Sequence, residues 1–353
     1  MYINSINYFR AIAIIFIVFG HCLLVADFSY SSYLGNSIFN FTLGGTSLFV
    51  FISGFLFHHI FYKNFHYESF IIKKIKYVLF PYLILSTIPI VFILYMTCKA
   101  NILASNTFSL HYESLLSFPI VRHYLTGVDA NFVGYWYIPF IMIVFALSPI
   151  FIRFIKLKLK TQLFIALFLL ICSVFMHKGI YHNAFSIFQN VLYFTPVYLF
   201  GILFSEKRDL IYSKLNGKEF YIFTIVIILA IIQAYSGKLG NYHKDPFTFG
   251  GIDIMLIQKI VLCLFFMVYL NRFEKYKFKF LEIIAANSFG IYFIHGIVIW
   301  VIGIIKNVLG FSFTSNSFIV YVLMTILVFF LSLITTLIVK RTFPEYSRYL
   351  VGS

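Results

Sequence analysis

Runs of about 20 mostly apolar residues recur along this chain, and a run of that length is what an α-helix needs to cross the hydrocarbon core of a bilayer. Ten can be read, over residues 8–26, 38–60, 77–97, 133–154, 163–176, 187–204, 220–235, 254–270, 283–305 and 318–339. In lipid, each backbone amide must find its partner within the protein, so isolated runs of this kind dictate helices. Composition agrees: 61% of the residues are hydrophobic and 11% charged, where globular domains carry roughly 25% charged residues. So few charges could not cover so much apolar surface in water. The expected fold is all-α: a polytopic transmembrane helical bundle of about ten spans, forming a single membrane domain over residues 1–353. Pro81 and Pro89 fall in the third run, where neighbouring helices can satisfy the freed carbonyls.

The formal net charge of +15 raises nucleic acid as a partner. The basic residues sit between apolar runs, however, and no basic-aromatic binding module is visible, so no nucleic acid is expected. Their distribution instead sets orientation. With the amino terminus inside, 20 of the 27 Lys and Arg face the cytoplasm and each of the four inner loops carries four. Adding or dropping a span would scramble that regularity, so both termini are expected in the cytoplasm. The first apolar run shows no small-residue cleavage site, and no cleaved signal is expected. Cys22, Cys98, Cys172 and Cys263 lie far apart without redox or metal spacing, so no metal is expected. No internal repeat is visible, which weakens an inverted-repeat transporter reading.

Ionisable side chains at membrane depth are expensive and mark function by default. Eight of the ten histidines lie in loops or at span ends, leaving His21 and His295 inside spans. Arg10 and His21 share the first helix. Eleven residues at about 100° each come to about 20° past three full turns, so both project from one face, roughly 16 Å apart along the axis. A long ligand with an anionic end and a reactive end fits that stripe. The plainer reading makes Arg10 an inside anchor and His21 a helix-to-helix hydrogen-bonding residue. His295 enters from the same side to a similar depth. The Lys73, Lys74, Lys76 cluster at the inner end of the third span is either a phosphate site or a positive-inside anchor.

Several segments together resemble those of one known family of membrane proteins. Tyr8-Phe9-Arg10-Ala11-Ile12-Ala13 through Gly20-His21 is similar to that family's opening helix, with its Arg and His eleven apart. Gly44 through Ser53-Gly54-Phe55 resembles its second helix, and Lys73 to Pro81-Tyr82 its basic third. Tyr135-Trp136-Tyr137 resembles its aromatic fourth, and Ser288-Phe289-Gly290-Ile291-Tyr292-Phe293-Ile294-His295 its late helix with a closing His. The five occur in family order along nearly the whole chain, and the family they resemble is membrane acyltransferase 3. One departure concerns the third helix, where the family has two Arg and this chain has Lys74 and Tyr77, with Lys76 adjacent; Lys lacks the bidentate fork of Arg.

The resemblance implies O-acylation, with acetyl favoured, from cytoplasmic acetyl-CoA to a hydroxyl of a surface polysaccharide or lipid-linked glycan such as the O-antigen of lipopolysaccharide. The partners are then an acyl-CoA donor, a glycan acceptor and the lipid of the cell's cytoplasmic (inner) membrane. Arg10, Lys74 and Lys76 would hold coenzyme A phosphates. His21 would act as general base or transient acyl carrier, and His295 as second proton carrier or oxyanion donor. Trp136 and Tyr137 would meet the sugar, although Trp136 equally suits an interfacial belt. The competing reading is a non-catalytic exporter or flippase of a polysaccharide or lipid-linked sugar.

Overall fold

The computed structural model describes residues 3–104, 123–127, 133–179, 186–240, 242–245, 248, 250–313 and 316–353, with backbone alone for 93–94 and 96–104. His111, Glu113, Arg122, Asp129 and His182 lie outside the described residues. The described chain is all-helical. Seven helices are long and apolar enough to cross a membrane, or nine if each of two bent pairs counts as one span. Every run expected from the sequence coincides with a helix. The tenth, α1 (Asn4–His21), stands outside that set, with Asn4, Ser5, Asn7, Arg10 and His21 diluting its apolar face. Glu274 caps its start, accepting the Asn4 and Ser5 amides at 2.9 and 2.8 Å, as the positive end of a helix favours.

The second run is α2 (Tyr33–Thr42) and α3 (Gly45–Leu56), continued by a π-helical turn at Phe57–Phe61. The third is α4 (Tyr67–Lys74), a second π-turn at Ile75–Leu79, and α5 (Phe80–Ala104). The fourth divides into α6 (Tyr137–Ala146) and α7 (Ser148–Ile155), bent by 54°. Pro149 sits there, lacking the N–H that would continue the ladder. Then follow α8 (Leu159–Met176), α9 (Ser186–Glu206), and the pair α10 (Arg208–Leu215) and α11 (Glu219–Tyr235), which meet at 94°. The remainder is α12 (Ile254–Asn271), α13 (Lys279–Ala286), α14 (Ser288–Leu309), α15 (Phe318–Thr342) and the short α16 (Ser347–Leu350).

With lipid as solvent, helices associate by close packing and internal hydrogen bonds and not by hydrophobicity. Gly54 of α3 and Gly201 of α9 show the first device. A Cβ on Gly54 would stand 2.1 Å from the Tyr198 carbonyl oxygen, and one on Gly201 2.2 Å from that of Phe51. Tyrosines supply the second. The fully buried Tyr82, Tyr135 and Tyr321 donate to the carbonyls of His123 (2.9 Å), Phe293 (2.9 Å) and Phe19 (2.5 Å). Each ring fills core while its hydroxyl ties two segments together.

Lys259 is fully buried five residues into α12. Its ammonium turns onto the last carbonyls of α2, Asn40 at 3.0 Å and Phe41 at 2.7 Å, where a helix C-terminus attracts cations. Two loops at one end of the bundle are joined by an isolated bridge between Lys178 and His243. The Lys178 amide donates to Tyr242, the Lys244 amide returns to Lys178, and His243 Nδ1 donates to the Gly179 carbonyl at 2.9 Å.

Candidate functional site

His21 is the last residue of α1, and His295 lies in the second turn of α14. Their rings stack at 7° with centroids 5.1 Å apart, and His21 Nδ1 lies 2.8 Å from His295 Nε2. His295 Nδ1 meets two carbonyl oxygens, Tyr292 at 2.5 Å and Ile291 at 3.2 Å. Carbonyls only accept, so this nitrogen carries the proton and Nε2 of the neutral ring is an acceptor. His21 Nδ1 must then donate, leaving the lone pair of His21 on Nε2. The chain of bonds thus assigns both tautomers.

A peptide turn closes over the dyad. Gly134 adopts φ +95°, and a Cβ there would stand 3.1 Å from His21 Cε1 and 3.6 Å from His295 Nε2. Its carbonyl accepts the Tyr292 hydroxyl, so α14 locks the turn in place. Trp136 and Tyr137 follow and line the space beside His21 with Thr46, Phe49 and Phe289. Trp136 is buried, stacked on Phe140 and Phe194, and the Lys178 ammonium stands 4.0 Å from its ring centroid. It is a wall of the histidine site and no membrane belt. The space left beside His21 is only about 10 Å³, room for about one water.

A much larger cavity, about 820 Å³, opens at the other end of the Arg10–His21 stripe. Arg10, Lys73, Lys74, Lys340 and Arg348 line it, and no acidic residue does. A narrower cavity of about 230 Å³ continues from it between apolar side chains. The two share Arg10 and Lys74, and the narrow one shares Phe49 with the histidine site. Phe289 lines all three. Arg10 donates to Ser288 Oγ at 3.0 Å, immediately before Phe289. Lys74 is ringed by Phe61, Phe70 and Phe145, 5.3, 5.1 and 4.4 Å from the ring centroids.

Of the basic residues expected to hold a phosphate, Arg10 and Lys74 thus reach the cavity. Lys76 is exposed and outside its lining. Two residues past Lys74 is about 200° around a helix, so Lys76 faces away while Tyr77 and Val78 face in. Gly134, Phe289, Lys340 and Arg348 escaped the sequence reading. For Gly134 a signal existed, a glycine directly before the Tyr-Trp-Tyr run.

The family described as an acyltransferase domain matches residues 3–337, nearly the whole chain. The chain belongs to the membrane acyltransferase 3 family. Among relatives, this acyltransferase-family chain is 22% identical over 321 residues to a Staphylococcus aureus (strain MSSA476) protein named probable poly-beta-1,6-N-acetyl-D-glucosamine export protein. That match spans 83% of this chain and 81% of the relative. The protein of the same name from strain MW2 matches equally. No solved structure matches.

Proposed function

We propose that this protein is a membrane O-acyltransferase that moves an acyl group, acetyl by preference, from cytoplasmic acyl-CoA to a hydroxyl of an envelope polysaccharide or lipid-linked glycan. The observation that carries the reading is the adjacency of three spaces along one helix face, joined by shared lining residues. A cationic cavity with no Asp or Glu side chain in its lining adjoins an apolar neck, and the neck adjoins a histidine with its lone pair assigned. Coenzyme A has the matching order: phosphates, then a long pantetheine arm, then the thioester. Coenzyme A is substrate here, and no metal enters the proposal; among the described residues no group of His, Cys, Asp and Glu is arranged to hold one.

In the proposed reaction His21 Nε2 takes the proton of the acceptor hydroxyl as its oxygen attacks the thioester carbonyl carbon. The imidazolium formed keeps its Nδ1–H bond to His295 Nε2, so His295 orients the base, much as a triad's third member does. The C–S bond then breaks and the departing thiolate recovers the proton from His21. Atoms balance with ester and coenzyme A thiol as products. Because the space beside His21 is so small, Phe289 and Phe49 must swing aside for the acyl group to arrive.

Mass spectrometry of the surface glycan tests the reading. His21→Ala should abolish acylation while expression and insertion persist, and Arg10→Ala should weaken donor use. Unchanged acyl content in His21→Ala would overturn the catalytic assignment. The export reading is favoured by one observation, the name borne by the staphylococcal relatives. It predicts that deleting the gene removes the glycan itself from the surface, and not its acyl groups alone.

A further inference from the structure

The cations around the inner cavity fall into two sets. Arg10 and Lys74 line both the wide cavity and the neck, which puts them where the neck opens. Lys73, Lys340 and Arg348 line the wide cavity alone. Two of these three come from the last turn of α15 and from α16, a segment folded back under the bundle. The Ser353 hydroxyl accepts the Gly290 amide at 2.7 Å, pinning that segment to the first turn of α14, next to Phe289. The Lys340 ammonium is held by a neutral amide oxygen, Asn287 Oδ1 at 3.0 Å. The Arg348 guanidinium lies 4.3 Å from the Tyr77 ring centroid, and Tyr77 packs on Tyr349 at 5.5 Å. Among the described residues neither cation meets a carboxylate. Lys73, Lys340 and Arg348 line one cavity whose lining holds no Asp or Glu side chain, and such a cluster of like charges attracts an anion.

We propose that Lys340 and Arg348 form a second phosphate subsite, separate from Arg10 and Lys74, which takes the ribose 3′-phosphate at the nucleotide end of the donor. The inference rests on the donor reading above. With the thioester at His21 and the arm in the neck, the pyrophosphate falls to Arg10 and Lys74. Only the nucleotide is left for the wide cavity, and its anionic group is the 3′-phosphate. Tyr77, already covered on one side by Arg348, gives the base an aromatic platform. A phosphate could also come from an anionic lipid headgroup, and the lipid used in the experiment separates the two sources.

Titration calorimetry on the full chain in phosphatidylcholine nanodiscs, with coenzyme A and 3′-dephospho-coenzyme A as probes, provides the test. The unaltered protein should bind coenzyme A about tenfold or more tightly than the dephospho form, the scale of hydrogen bonds to a charged group. In Lys340→Gln/Arg348→Gln that preference should vanish. Lys340→Arg, which retains the charge with little disturbance to the segment, should keep it, and a thermal melt of each variant verifies folding. A folded double variant with undiminished preference would overturn the subsite alone. Binding of neither coenzyme by the unaltered protein would overturn the donor reading and the subsite together. If phosphatidylglycerol in the nanodisc stabilises the unaltered protein but not the double variant, while the coenzyme preference is the same in both, the cations hold lipid and the subsite is overturned.

Discussion

Gly134 shows how much of the chemistry depends on a residue without a side chain. Its backbone sits against both imidazoles, and its positive φ excludes other residues at little strain. Gly134→Ala should push His21 off its bond to His295. A misplacement of about 1 Å costs about a hundredfold in rate, and a smaller displacement costs less, read as a fall in kcat with little change in KM for the donor. Equal kcat in the variant would show that the turn does not position the base. Histidines at mid-span were conspicuous in the sequence because ionisable residues are scarce in apolar runs. Their tautomers were not, since these follow from carbonyls that only the folded α14 presents. Lys340 and Arg348 were overlooked for the opposite reason: every inner loop is basic, and a ligand cation reads like an anchor until the chain folds back.

At the scale of elements, the ten runs located the helices but not their breaks. The bend at Leu147, the interruption at Asn287 and the two π-turns leave apolar periodicity nearly untouched, yet the interruption and the π-turns bring Phe289, Lys74 and Tyr77 around one cavity. The Lys178–His243 bridge is another such element, with no sequence signal. Burial, followed by the Lys178 cation, pushes His243 down to about 4 from its ordinary 6.5. The folded state therefore keeps the ring neutral where an unfolded or opened loop would protonate. Stability is greatest above pH 6.5, declines as pH falls from 6.5 towards 4, and changes no further from this source below that. The thermal midpoint should fall across that window, and His243→Gln should flatten the fall. An equal slope in the variant would place the proton elsewhere.

For the whole molecule, topology decides whether the proposed reaction is vectorial. If both ends lie inside, as the distribution of basic residues leads one to expect, the cationic cavity faces the cytoplasm and the bridged loops lie outside. In a cysteine-free background, Lys238→Cys should react with an impermeant maleimide in intact cells, and Lys73→Cys only after permeabilisation. Labelling of Lys73→Cys in intact cells would reverse the orientation and remove access to cytoplasmic coenzyme A. The all-helical membrane character was legible because the apolar runs are so long, although α1, which carries half the candidate site, is not among the seven to nine helices apolar enough to cross a membrane.

The aromatic neck also bears on the energetics of the cell. A continuous polar passage from a cationic vestibule to two imidazoles would be a wire for protons, and each crossing would drain the gradient that powers the membrane. Phe49 and Phe289 stand where the spaces adjoin, with side chains that neither donate nor accept a proton. In the proposed enzyme, such a break would let ionisable groups stand along the donor path without conducting protons between turnovers.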